Sequence, residues 1–177
     1  MKKIFLAIVL GVLMPSSGVL AHHGGNLYDT TKAVDLLKPL CQGGYRPACV
    51  EWGLYYLDGI TRNVDLAKRL FTMACEKGEQ SGCVHLAELT VAQPDEQAKA
   101  LQLAQRACQS GFVEGCVTLG RWHEQGTAVR RDHAQAQQYY QAACSAHVAD
   151  GCFALGNVYQ QGIGLGADAD KALELYE

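Results

Sequence analysis

Eight cysteines arranged as four C-x7-C pairs constrain this chain more than any other feature. The pairs are Cys41 and Cys49, Cys75 and Cys83, Cys108 and Cys116, Cys144 and Cys152, with first members 34, 33 and 36 residues apart. The cysteines ride on an internal repeat, so one structural unit is copied along the chain. Zinc sites use shorter C-x2-4-C spacings, usually with histidines in register, whereas thiols of an exported chain become joined. Eight cysteines permit about 105 pairings. The repeat singles out the one that links each cysteine to its partner eight positions on. Each bridge closes a nine-residue loop, for which chain entropy suggests ~2.6 kcal/mol of stabilisation.

Residues 1–21 explain why oxidation is expected. Lys2 and Lys3, an apolar run from Ile4 to Met14, the helix-breaking Pro15 and the small-residue ending Val19-Leu20-Ala21 form a secretory signal peptide. That run is too short for a spanning helix, and no later stretch approaches ~18 consecutive apolar residues. The mature chain is expected in the periplasm or outside the cell, as a monomer, with a flexible segment over 22–28 and a repeat domain over 29–177. Losing Lys2 and Lys3 takes the net charge from −3 to −5. A mildly acidic chain has no electrostatic reason to bind nucleic acid. With 49% hydrophobic residues it has ample material for a core.

Aligned on the second cysteine, the four copies share apolar or small residues at offsets 0, +3, +4 and +7. These are Cys49, Trp52, Gly53, Tyr56; Cys83, Leu86, Ala87, Thr90; Cys116, Leu119, Gly120, His123; and Cys152, Leu155, Gly156, Tyr159. The spacing predicts a helix, A, with one buried face, ended by Gly59, Gly126 or Gly162. A second helix, B, runs up to each first cysteine. Asp29, Asn63, Asp132 and Asp168 are its N-caps. Gly44, Gly78 and Gly111 stand three residues past the cysteine as left-handed stops. The fourth copy has His147 there, which must either take positive φ or turn another way. In the second copy the connection TVAQPDE is shorter and uses Pro94 and Asp95 as its start signal.

Two helices of ~12 residues cannot each bury a stripe alone, so the pairs must stack into an all-α solenoid. The small residues Gly53, Ala87, Gly120 and Gly156 allow close approach. Each disulfide then clamps the end of one B helix to the start of the next A helix. Glu177 falls in the middle of the B helix that follows the fourth A helix, before its expected cysteine, which leaves either a fragment or a frayed natural end.

The segments ACVEWGLYYLDG, GCVTLGRWHEQG and GCFALGNVYQQG, each followed by a helix such as VDLAKRLFTMACEKG, resemble the Sel-like repeat, a relative of the tetratricopeptide repeat. The cysteine decoration resembles the secreted, Hcp-type branch of that family. The resemblance covers about residues 29–177. It implies a right-handed superhelix with a concave ligand-binding surface and an adaptor role. For some cysteine-rich members it also implies weak β-lactam binding or hydrolysis.

The residues themselves offer no such chemistry. A serine β-lactamase needs S-x-x-K with S-D-N and K-T-G elements, and Ser81, Ser110 and Ser145 are followed three positions on by Val84, Val113 and Val148. They read as turn and cap residues. His123-Glu124 lacks the second histidine of H-E-x-x-H, so His123 reads as a packed, hydrogen-bonded core residue. His22-His23 and the Gly162–Gly166 stretch read as a tail and a repeat connector. Neither a cofactor nor a metal is expected. A binding groove is. Offsets +2, +5 and +9 of helix A point away from the buried set, and offset +6 flanks them. The candidate binding residues are Glu51, Leu54 and Tyr55; His85 and Glu88; Thr118, Arg121 and Trp122; and Asn157. One apolar residue per repeat with polar neighbours suits an extended peptide or protein ligand. The competing reading is that offset +6 packs against the neighbouring repeat and the charged offsets are a solvated face.

Overall fold

Three B helices start at the caps Asn63, Asp132 and Asp168, and left-handed residues close the B-to-A turns. The computed structural model describes residues 30–58, 62–164 and 166–177, and among these nine helices alternate with short turns and no strand occurs. They are α1 (Thr30–Gln42), α2 (Arg46–Asp58), α3 (Val64–Glu76), α4 (Gln80–Thr90), α5 (Gln97–Gln109), α6 (Val113–Gln125), α7 (His133–Ser145), α8 (Ala149–Gln161) and α9 (Ala169–Tyr176). Even-numbered helices are the A type and odd-numbered helices the B type. The expected signal peptide, the 22–28 segment with His22-His23, the expected Asp29 cap, Gly59 and Leu165 lie outside the described residues. From α2 onward each helix packs on the next. The A helices α2 and α4, and α4 and α6, also meet directly, which makes the array an α-solenoid.

Every B-to-A turn closes in the same way. Gly78 N–H donates to the Cys75 carbonyl (2.9 Å) and Glu79 N–H to that of Ala74 (2.9 Å). This pair of bonds, spanning three and five residues, is a Schellman closure. It recurs after Cys41 and Cys108, with Gly44 and Gly111 at φ 91° and 88°. His147 makes the same bonds at φ 59°, so the fourth turn keeps its geometry with a side chain in the left-handed region. Such a position costs a non-glycine residue on the order of 1 kcal/mol.

The A-to-B connections repeat as well. The N–H groups of Asn63, Asp132 and Asp168 donate to the carbonyls of Tyr56, His123 and Tyr159 at 2.8–2.9 Å, and each side chain caps the first turn of its helix at 3.0 Å. The second copy departs from this and from its expected start. Pro94 and Asp95 sit in the turn, α5 begins at Gln97, and the preceding Glu96 makes no side-chain cap. Glu96 is already in the right-handed helical region, where its side chain does not reach the first N–H groups. Its carboxylate instead pairs with Lys68 of α3.

All four disulfides join a cysteine to its partner eight positions on, with Cα–Cα distances of 4.4–4.8 Å. Each ties the last turn of a B helix to the first turn of the next A helix. Arg106 of α5 adds a second link, its Nη2 donating to the sulfurs of Cys75 (3.0 Å) and Cys83 (3.2 Å).

The core is built on matched columns. A Cβ at Gly53, Gly120 or Gly156 would lie 2.4–2.5 Å from the ring of Phe71, Tyr140 or Tyr176, each on the following B helix. These glycines let an aromatic ring rest on helix backbone. Where the A helix has Ala87 instead, α5 offers Ala104, and both are fully buried in one cluster. The ring tips are matched too. Tyr140 donates to Glu124 (2.7 Å) and the Tyr176 hydroxyl lies 3.1 Å from Gln160 Oε1, whereas Phe71 has Leu57 at the corresponding place in its apolar cluster.

Two outcomes test this account. Gly53→Ala is expected to destabilise by about 1–3 kcal/mol through overpacking. In a Phe71→Ala background the same change should cost nothing or become favourable by up to ~1 kcal/mol, the helix preference of alanine over glycine, as read from guanidinium unfolding with the disulfides intact. His147→Gly should stabilise the protein by about 0.5–1 kcal/mol in the same assay, and no gain would mean the turn stores no strain.

Candidate functional site

The face of helix A opposite its buried set carries the candidate residues, and the structure sorts them into three groups. On α2, Glu51 is exposed while Leu54 and Tyr55 are half-buried, Leu54 resting on the first core cluster and Tyr55 edge-on to Tyr56 at 5.4 Å. On α8, half-buried Asn157 accepts from the Tyr176 hydroxyl at 2.8 Å, which ties it to α9. Between them, α4 and α6 bring His85, Glu88, Thr118 and Arg121 together.

Glu88 is the centre of that group. Arg121 Nη2 pairs with Glu88 Oε1, Thr118 Oγ1 donates to the same oxygen at 3.3 Å, and His85 Nδ1 stands 3.8 Å from Oε2. Burial alone would push the Glu88 carboxyl up, but the His85 contact and the Arg121 charge more than offset it, so it sits below its ordinary range. The cluster joins two repeats across the contact between their A helices. Nearby, burial and the bond to Glu124 hold the Tyr140 hydroxyl well above its ordinary value.

Trp122 and Thr118 differ from the groove expectation, since each is only 3% exposed. A single-helix wheel ignores the neighbouring repeat, and here α4 covers that side of α6. Trp122 lies in the second core cluster with Ala87, Val91, Ala100 and Ala104, filling the space those small side chains leave. It presents no side chain to a ligand. Val158, also at offset +6, is likewise buried. Glu124, Tyr140 and Tyr176 are residues the spacing argument passed over. Their signal was the parallel change between the column four before the first cysteine and the column eight after the second.

The serines hold local bonds: Ser81 donates to Glu79 (3.0 Å), Ser110 to the Ala107 carbonyl (2.7 Å), and Ser145 accepts from Gln141 (3.4 Å). His123 is packed as expected, its ring stacked on Tyr139 at 5.5 Å, but its Nδ1 has no hydrogen-bond partner. Among the described residues no three His, Cys, Asp or Glu side chains converge on a metal-sized position.

A profile described as the Sel1 repeat matches residues 46–79, 90–112, 113–147 and 149–177. The chain belongs to the Sel1 repeat family. No curated protein matches the sequence. Among solved structures it is similar to a Sel1 repeat protein from Oxalobacter formigenes, with TM-score 0.68 and 25% identity over 84% of this chain and 62% of that one. It is also similar to a protective antigen of uropathogenic Escherichia coli with an SLR fold (TM-score 0.64, 24% identity, 81% of this chain and 32% of that one). A third is Helicobacter pylori cysteine-rich protein B (0.52, 24%, 73% and 98%). The chain thus spans 62% and 32% of the first two proteins' lengths. The second and third likenesses concern the fold alone. Sel1 repeat proteins are interaction scaffolds, and no described helix here is long and apolar enough to cross a membrane.

Within this Sel1 array the two ends of the Trp122 question separate by stability. Trp122→Ala should destabilise by about 3–5 kcal/mol, whereas Arg121→Ala, removing an exposed ion pair, should cost no more than ~1 kcal/mol. Denaturant unfolding of both variants decides it.

Proposed function

We propose that this Sel1 repeat protein is an exported, disulfide-clamped scaffold that binds an extended peptide segment of a partner protein along its A helices. One observation carries the reading: α4 meets both α2 and α6 directly, so the outward offsets of these three A helices lie side by side. Glu51, Leu54, Tyr55, His85, Glu88 and Arg121 keep side chains at the surface of that face. A stiff scaffold loses little entropy on binding, which favours affinity from few contacts. Export is supported by four disulfides and by the signal-like residues 1–21. The local bonds of Ser81, Ser110 and Ser145 favour a binding role over acyl transfer.

A photo-reactive residue placed at position 51 or 54 on the A face is expected to crosslink a partner protein in the producing cell. The same group at position 69 or 99, on the B helices, should capture none. Adducts only from the B helices would overturn the assignment.

A further inference from the structure

Charge is segregated between the two helix layers. The A helices α2, α4, α6 and α8 carry six carboxylates (Glu51, Asp58, Glu88, Glu114, Glu124 and Asp150) against two arginines, Arg46 and Arg121. The B helices carry seven lysines and arginines against five carboxylates. A net charge of −3 for the whole chain conceals this.

The position of the carboxylates matters more than their number. Glu114 and Asp150 stand two residues before the second cysteine, Glu51 two after, Glu88 five after and Asp58 nine after. At ~100° per residue these offsets fall within about 60° of one another, opposite the buried set. Glu51, Asp58, Glu114 and Asp150 are exposed and form no ion pair with a described residue. Glu88 alone is answered from within the protein, by Arg121, the one cation at these offsets.

Resting on the peptide-binding reading above, we propose that the ligand is a cationic extended peptide whose lysines or arginines meet this row of carboxylates, and that Arg121 occupies the Glu88 subsite as an internal stand-in. Complementary charge selects the partner and speeds encounter. Glu88 has already been shaped for a cation: Thr118 donates to its Oε1 and a guanidinium completes the site. Arg121 is exposed, on a long side chain that can swing into water. Exchanging it for a ligand cation at Glu88 is close to neutral, one cation for another. The net gain comes from Glu51, Asp58, Glu114 and Asp150, which have no described cation of their own.

The test uses the full, oxidised protein and three fluorescein-labelled peptides of equal length with Lys, Glu or Gln at every second residue, read by fluorescence anisotropy. The Lys peptide should bind at least about tenfold more tightly than the Gln peptide, with the Glu peptide weakest. Raising the salt from low to physiological should narrow the gap, since exposed charges are screened over ~10 Å at about 0.1 M. Glu51→Gln and Asp58→Asn should each weaken Lys-peptide binding several-fold. Arg121→Gln should strengthen it about three- to tenfold by vacating Glu88, and Arg121→Gln with Glu88→Gln should lose that gain.

Equal binding of the Lys and Gln peptides, or preference for Glu, overturns the charge inference while leaving the A-face reading to the crosslinking result. Weaker Lys-peptide binding by Arg121→Gln, with unchanged circular dichroism, makes Arg121 a ligand contact and removes the stand-in role. Binding of none of the three, or self-association of the protein that the Lys peptide does not relieve, also overturns the proposal.

Discussion

The covalent step from the last turn of each B helix to the first turn of the next A helix is the constraint on which the array depends. The chain reverses there within a few residues, using a left-handed residue and two backbone hydrogen bonds, and the disulfide fixes that reversal. Repeat arrays draw their stability from nearest neighbours and can open one unit at a time. A bridge at every such junction ties local opening to its neighbour. It also explains why the fourth turn keeps its geometry with His147 where the others use glycine: the bond between Cys144 and Cys152 spans the turn and leaves little room for another path.

Given that hinge, the packing of a B helix on the preceding A helix becomes a problem of matching one column to another. Aromatic rings face glycine, alanine faces alanine, and a phenol appears where the A helix supplies a polar acceptor at the ring tip. Phe71 with Gly53 and Leu57 is wholly apolar, whereas Tyr140 with Gly120 adds Glu124. A buried hydroxyl without an acceptor would cost on the order of 1–3 kcal/mol, so the third column follows from the first. Trp122 belongs to the same logic. The Ala87 and Ala104 pairing underfills its layer, and the indole of the next A helix occupies the difference.

Much of this was legible because it is periodic. The bridges, the helix pairs, the Asn63, Asp132 and Asp168 caps and the glycine stops all follow from residues repeated at fixed offsets. What was not legible depends on contacts between repeats. Thr118 and Trp122 look outward on the wheel of α6 alone, yet α4 covers them. α5 starts later than Pro94 and Asp95 signal, because Glu96 is already helical in this connection and its carboxylate turns to Lys68. His123 was expected to bond through its ring, but stacking on Tyr139 holds it without a partner for Nδ1. In the candidate site, the meeting of His85, Glu88 and Arg121 joins residues up to 36 positions apart, a relation that only stacking of the repeats creates.

The same stacking separates stability from recognition along each A helix. Side chains at offsets 0, +3, +4 and +7 are committed to the B helices and the bridge, and column matching restricts what can stand there. The opposite offsets are less restricted, although Leu54 rests on the first core cluster, His85 packs on Phe71, Asn157 accepts from Tyr176 and α4 covers Thr118. Residue choice on the remaining positions therefore reflects the solvent or a ligand, not the core. Hydration alone does not set the sign of these side chains; the helix dipole favours Glu114 and Asp150 in the first turns of α6 and α8, but it does not account for Glu51 in the middle of α2 or Asp58 at its C-terminal end. A bias of sign confined to one face of a rigid array is what charge selection by a partner would leave behind.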